Sequence, residues 1–274
     1  MKTFREAGKL RKWCAARKTA GAKIALVPTM GCLHEGHLSL IREAKRRGAD
    51  EIVVSIFVNP IQFGPNEDYA KYPRSEKADL AKCRAEGATA VFLPSPEAMY
   101  APDRSTFVDE TDLSKGLCGA RRPGHFRGVC TVVAKLFNIT RPDFAVFGRK
   151  DWQQACVIKR MVRDLDFGIQ IVTAPIVREK SGLAMSSRNG YLSGDERAKA
   201  LAISAALRGV KSGAAAAAER KRAAAAIEKA GLKVDYVEIV DSETLKPVAK
   251  TGKGTTVLAA AFAGKTRLID NRQL

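Results

Sequence analysis

Val27-Pro28-Thr29-Met30-Gly31-Cys32-Leu33-His34-Glu35-Gly36-His37 decides how this chain is built. It closes the apolar run 23–27, which predicts a buried strand stopped at Pro28, and it leads into the helical spacing of 38–47. Outward from it the pattern repeats. Residues 51–58 are β-branched and end at Asn59-Pro60, 75–86 have helical spacing, and 88–93 form a strand-like run stopped by Pro94. Further on, 129–139 predict a helix, 143–147 a strand, 152–165 a helix and 168–172 a strand ahead of Pro175. Upstream, 3–19 have amphipathic helical spacing. Strand–helix units in series predict an α/β fold, a parallel sheet with helices on both faces.

Beyond Pro175 the composition changes. Residues 195–213 predict a helix, an Ala/Lys/Arg-rich helix runs to Ala230, and Gly231 is a suitable stop for it. Three strand-like runs follow at 234–240, 255–262 and 266–269. The expected organisation is a domain over 1–177 and a smaller α+β domain over 178–274.

The chain has 274 residues, 46% apolar and 28% charged, which is a globular composition. No apolar run approaches the roughly 18 residues of a membrane span, and Met1-Lys2-Thr3-Phe4-Arg5-Glu6 lacks the apolar core of a signal peptide. A cytoplasmic protein with no membrane partner is expected. The net charge of +18 invites anionic partners, but the basic residues are spread along the chain. The denser groups, Lys45-Arg46-Arg47 and Arg220-Lys221-Arg222, lack the interleaved aromatics of a nucleic-acid platform, so no nucleic acid is expected. None of the six cysteines forms a C-x-x-C pair, and without an export signal they read as free thiols.

The turn after the first strand of that α/β series is where an open parallel sheet places ligands, and a helix start there offers N–H groups to phosphate. His34 and His37 are three apart, hence on one helical face, and can donate to phosphate oxygens, while Gly36 allows close approach. Two ordinary helix histidines fit the spacing equally well. A zinc pair does not, because no further ligand completes it, so no metal site is expected. The G-x-G-x-x-G fingerprint is absent, and 261–266 fails as a P-loop because position 259 is Ala.

His34-x-Gly36-His37 resembles the signature of the nucleotidyltransferase superfamily, which includes class I aminoacyl-tRNA synthetases. Six further blocks occur in order: 55–63 (SIFVNPIQF), 72–74 (YPR), 122–128 (RPGHFRG), 135–138 (KLFN), 147–154 (FGRKDWQQ) and 186–192 (SSRNGYL). Together they resemble the pantoate–β-alanine ligase family over about 22–197, with a weaker echo in Arg267-Leu268-Ile269-Asp270-Asn271. The resemblance implies a Rossmann-like first domain, a C-terminal lid, a homodimer, and ATP with Mg²⁺. It implies that pantoate attacks the α-phosphate of ATP, and that β-alanine then attacks the resulting pantoyl adenylate.

The resemblance also implies roles. His34, His37, Lys150 and Arg188 would be catalytic. ATP would be bound by Met30, Gly31, Cys32, Leu33, His34, Glu35, Gly36 and His37, by Gly148, Arg149, Lys150 and Asp151, and by Val177, Met185, Ser186, Ser187 and Arg188. Pantoate would meet Asn59, Gln62 and Gln154, with Gln62 later beside β-alanine. Asp68, Asp79 and Asp151 are the carboxylates to consider for Mg²⁺. His125 reads as ordering a nearby loop. Two positions depart from the family pattern: Arg149, where many relatives carry an acidic or amide residue, and Ser181, where aspartate is common.

Overall fold

The protein is described by a computed structural model over residues 1–65 and 67–274. Along the first part of the chain run β1 (Lys2–Phe4), α1 (Ala7–Thr19), β2 (Ile24–Thr29), α2 (Glu35–Arg46), β3 (Glu51–Ile56), α3 (Glu76–Ala85) and β4 (Ala90–Phe92). Two short helices, α4 (Pro96–Met99) and α5 (Leu117–Arg121), precede α6 (His125–Thr140), β5 (Phe144–Gly148), α7 (Trp152–Asp164) and β6 (Gln170–Ala174). Then come α8 (Gly194–Arg208), α9 (Ala216–Lys229), β7 (Lys233–Asp241), β8 (Thr255–Ala263) and β9 (Thr266–Gln273).

Among the described residues the first six strands form one parallel sheet in the order β1-β4-β3-β2-β5-β6. Period-two alternation explains why both faces are covered. Ile24 and Leu26 join Val53, Phe92 and Phe147 against α1, α6 and α7. Ala25 and Val27 join Val54, Val91 and Val146 against α2 and α3. The expected parallel α/β sheet is therefore what the chain forms. Its strand order reverses between β2 and β5, and a crevice at that switch point collects whatever follows the two strands.

Two local expectations need correction. Residues 3–19 are not one helix, because Lys2–Phe4 is an edge strand paired with Ala90–Phe92. Three residues are too few to show a period of two, so only the presence of β4 selects the extended state. The strand 23–27 also does not stop at Pro28, since β2 continues to Thr29 with Pro28 in register with Ser55. Pairing with β5 occurs at Ala25 and Leu26 alone, so β5 asks no donor of Pro28.

The last three strands form an antiparallel sheet in the order β7-β8-β9. Val237, Ile239, Val257, Ala259 and Leu268 pack under α8 and α9. The other face sends Tyr236, Val240, Leu258 and Ala260 into the core that contains Trp152 and Cys156. Among the described residues no helix is long and apolar enough to cross a membrane.

Candidate active site

Two adjoining cavities open at the carboxyl ends of the parallel strands. The smaller, about 200 Å³, is lined by Met30, His34, Gly36, His37, Gln62 and Lys150 among others. The larger, about 650 Å³, lies between the parallel sheet and β7–β9. Lys150, Asp151, Gln154, Ser186 and Arg188 line both, so the two form a continuous site.

The β2–α2 turn is shaped by left-handed backbone at Gly31 (φ 87°) and Cys32 (φ 48°). Asp79 on α3 holds it. That carboxylate is 1% exposed and accepts the Cys32 N–H at 2.9 Å and the Leu33 N–H at 2.7 Å. Lys82 donates to the Leu33 carbonyl at 2.5 Å. His34 caps α2: its Nδ1 accepts the Gly36 N–H at 3.1 Å, and His37 Nδ1 accepts the His34 N–H at 3.3 Å. A Cβ at Gly36 would lie 2.9 Å from the His34 ring, so only glycine suits this cap. With both Nδ1 atoms accepting, each neutral ring carries its proton on Nε2. The rings lie 4.0 Å apart at their centroids. Burial first, and then the Lys150 charge, lowers His34 to about 4. Burial and then the neighbouring His34 hold His37 well below the usual histidine range. Two neutral N–H donors result.

Lys150 follows β5 in the turn Arg149–Asp151 and reaches both oxygens of Asp151, at 3.3 and 3.1 Å. Arg149 does not compete for it. Its guanidinium donates to Gln273 at 3.1 Å and lines neither cavity, so the departure from the family pattern leaves Lys150 undisturbed. Gly148, Val177 and Met185 line the smaller cavity. Cys32, Leu33 and Glu35 line neither, and Glu35 pairs with Arg42 at 2.5 Å. The Cys32 and Leu33 backbone groups are themselves taken by Asp79, Lys82 and Ser187, so these two residues shape the turn. Gly31 lies in a separate small recess.

Asn59 is 1% exposed and wholly engaged. It donates to Gln62 Oε1 at 2.9 Å and to the Gly128 carbonyl at 3.1 Å, and it accepts from the Tyr100 hydroxyl at 2.7 Å. It therefore aims Gln62 rather than offering its own amide. Gln62 Nε2 meets the Met30 sulfur at 3.3 Å, a weak acceptor easily replaced by a carboxylate. Behind this glutamine, His125 Nδ1 donates to the Gln62 carbonyl at 2.9 Å. Arg122 donates to His125 Nε2 at 3.1 Å and pairs with both oxygens of Glu67. Burial, and after it Arg122, lowers His125 to about 4. Gln154, in the first turn of α7, lines both cavities.

Arg188 stands over the Tyr72 ring and forms a two-point pair with Asp68, at 2.9 and 2.7 Å. Ser187 donates to the Cys32 carbonyl at 3.1 Å, and Ser186 caps the turn Ser187–Tyr191. Ser181 is exposed, and the bend beside it is closed by Gly182 N–H to Glu179 at 2.8 Å, so no side chain at 181 is needed. The three carboxylates considered for a metal are all engaged: Asp68 by Arg188, Asp79 by backbone N–H groups, Asp151 by Lys150. Among the described residues no group of three or more His, Cys, Asp or Glu could hold a metal ion.

Four residues have roles that the sequence did not assign them, Asp68 having been considered for Mg²⁺ alone. Asp68 and Tyr72 dress Arg188, and Asp270 and Asn271 reach the site from β9. The first two lie inside or beside quoted blocks, and the last two carry only the weak echo at 267–271.

The geometry has clear relatives. The family profile described as Pantoate-beta-alanine ligase matches residues 2–273. The chain is 59% identical over 272 residues to the pantothenate synthetase of Anaeromyxobacter dehalogenans, covering 95% of this chain and 94% of that one. It is 52% identical to that of Sphingopyxis alaskensis, covering 99% of each. The pantothenate synthetase structure from Thermus thermophilus superposes with a TM-score of 0.90 at 40% identity, covering 100% and 99%. The pantoate–β-alanine ligase of Francisella tularensis, complexed with β,γ ATP and β-alanine, gives 0.84 at 33% identity, covering 100% and 97%.

Proposed function

The chain belongs to the pantoate–β-alanine ligase family, and from that premise we propose how its own residues carry the reaction. It is a ligase that joins pantoate to β-alanine, with ATP as a substrate. The ligation runs in two steps. A pantoate carboxylate oxygen bonds to the α-phosphorus of ATP while the bond from that phosphorus to its bridging oxygen breaks, and pyrophosphate leaves. The β-alanine amine then adds to the acyl carbon of pantoyl adenylate, loses a proton and expels AMP.

The observation that carries this reading is the placement of His34, His37 and Lys150 together at the switch point between β2 and β5, with the Nδ1 of each imidazole turned to a backbone N–H. Their task is to stabilise negative charge that grows at phosphorus. Burial makes an imidazolium costly here, so His34 and His37 act as hydrogen-bond donors and not as acids. Lys150 exchanges Asp151 for phosphate. Arg188, Ser186 and Ser187 hold the leaving polyphosphate, and Arg188 turns from Asp68 to do so. The Met30–His37 turn, Gly148, Val177 and Met185 receive the nucleotide.

Gln62 and Gln154 take the carboxylate and hydroxyl groups of pantoate, and Gln62 then neighbours β-alanine. The dimethyl carbon of pantoate suits the wall of Val129, Val132, Val133 and Leu136 on α6. Residues 178–274 act as a unit that closes over the larger cavity and keeps water from the adenylate. No protein ligand is assigned to Mg²⁺, which would be held chiefly by the phosphates of ATP; Asp79 stays engaged by backbone N–H groups, and Asp68 and Asp151 are the carboxylates that Arg188 and Lys150 release. A cytoplasmic homodimer belongs to this reading on family resemblance.

The test is isotope exchange. Pantoate alone should promote exchange of labelled pyrophosphate into ATP. Exchange that strictly requires β-alanine would rule out a discrete adenylate.

A further inference from the structure

Strand β9 carries Arg267-Leu268-Ile269-Asp270-Asn271, a run with a sequence signal but no role in the chemistry above. Its polar residues reach across to the first part of the chain. Asn271 is 2% exposed, and its single amide nitrogen donates to two successive carbonyls, Arg149 at 2.9 Å and Lys150 at 2.8 Å. Both hydrogens of that amide are thereby spent on the turn that bears Lys150. Asp270, also buried, accepts the Asn271 backbone N–H at 2.8 Å and pairs with Arg178 at 2.7 and 2.9 Å. Arg178 in turn holds the Gly182 carbonyl at 3.2 Å, at the foot of the loop that leads to Ser186 and Arg188. Two neighbouring residues of one strand thus grip the two segments that bring cations to the site.

A lysine side chain has four rotatable bonds, so its ammonium is placed only as well as its backbone is placed. The Lys150 turn has Gly148 before it and the cavity on one side, and Asn271 supplies a fork of donors from the other. We propose that Asn271 is a positioning residue for nucleotidyl transfer: by clamping the Arg149 and Lys150 carbonyls it aims the Lys150 ammonium at the phosphate. The inference rests on the reading of Lys150 as the phosphate cation. It makes the C-terminal strand part of the first half-reaction, so that β9 aligns the catalytic turn as well as covering it.

A purely cohesive role for the same contacts predicts something different, and a double-variant cycle separates the two. The measurement is single-turnover pantoyl-adenylate formation in the full-length protein, its Asn271→Ala and Lys150→Ala variants, and the double variant, with circular dichroism and urea midpoints as fold controls. Misplacing a catalytic group by about 1 Å costs on the order of 10²-fold. Asn271→Ala should therefore slow adenylate formation by about 10²-fold with an unchanged dependence on pantoate concentration. The double variant should be no slower than Lys150→Ala. A wild-type rate in Asn271→Ala, or a double variant slowed by the product of the two single effects, would overturn the proposal. If Lys150→Ala itself keeps the wild-type rate, the assignment of Lys150 fails, and that outcome is read from the single variant alone. Should Asn271→Ala fail to fold, Asn271→Ser keeps one donor and replaces it in the cycle. The same non-additivity is then expected with a smaller loss, and additivity overturns the proposal.

Discussion

His34 and His37 owe their chemistry to a capping arrangement. Each Nδ1 accepts a backbone N–H at the start of α2, from its N-cap or its first turn, and each half-buried ring lies near the Lys150 charge. Protonation would break the acceptor and strand a charge, so adenylate formation should show no limb near pH 6.5 from these rings. A loss due to His34 should appear only as the pH approaches about 4. A pH profile of single-turnover adenylate formation checks this, and a limb near 6.5 that vanishes in His34→Gln would contradict it. Removing a preorganised donor costs on the order of 10²–10³ in rate. Lys150→Ala and His37→Ala should each lose that factor in adenylate formation, while aminolysis of pre-formed adenylate loses less, because no new phosphate charge is built in that step. A Lys150→Ala variant that forms adenylate at the wild-type rate would move the role to Arg188. The residue types and their spacing were readable along the chain. Their tautomers were not, because these depend on which backbone donors face each ring.

At the scale of elements, the pantoate side of the site depends on how closely α6 approaches the turn Pro60–Gln62. Gly128 makes that approach: a Cβ there would run into the Ile61 carbonyl and the Gln62 backbone. Its own carbonyl accepts from Asn59, which aims Gln62. Gly128→Ala should therefore cost about 1–3 kcal/mol of stability and also weaken the use of pantoate. Gly194→Ala is the control, because a Cβ there meets nothing within 4 Å and should change neither. Urea midpoints and the dependence of rate on pantoate concentration check both variants, and a Gly128→Ala enzyme with wild-type values would refute the close-contact argument. The block Arg122–Gly128 was legible as a motif. The glycine's reason was not, since it lies in a backbone 66 residues earlier in the chain, at Gln62.

Across the whole molecule, histidines buried in neutral form link folding to pH. His125 sits between the Arg122 guanidinium and the Gln62 carbonyl, and its folded pKa of about 4 lies below the ordinary 6.5. The unfolded chain then binds a proton that the folded one refuses. The contribution of His125 is fully present above about pH 6.5 and is lost as the pH falls from 6.5 towards 4, with a slope of up to about 1.4 kcal/mol per pH unit. Urea midpoints between pH 8 and 5 should be flat and then fall, and His125→Asn should reduce the slope between 6.5 and 5. An unchanged slope would place the linkage elsewhere. The core itself follows from the continuous apolar runs of β2, β3 and β5, which the chain displays openly. The apolar second face of β7–β9 could not be foreseen, because its partners Trp152 and Cys156 belong to a helix about 80 residues away.

Local physics wrote the parallel sheet and the β2–α2 turn into the sequence, since hydrophobic period, proline stops and helix starts act over a few residues. Family resemblance was legible for the same reason: its blocks are contiguous. What only the tertiary structure decided is where distant polar groups meet. Lys2–Phe4 is a strand because β4 lies beside it. Asp79 is a backbone clamp because α3 brings it to the Cys32 and Leu33 N–H groups. Asn271 reaches the Lys150 turn because β9 ends there. Each is a hydrogen bond between residues far apart in the chain. Its partner is set by the packing of whole elements, which no local pattern encodes.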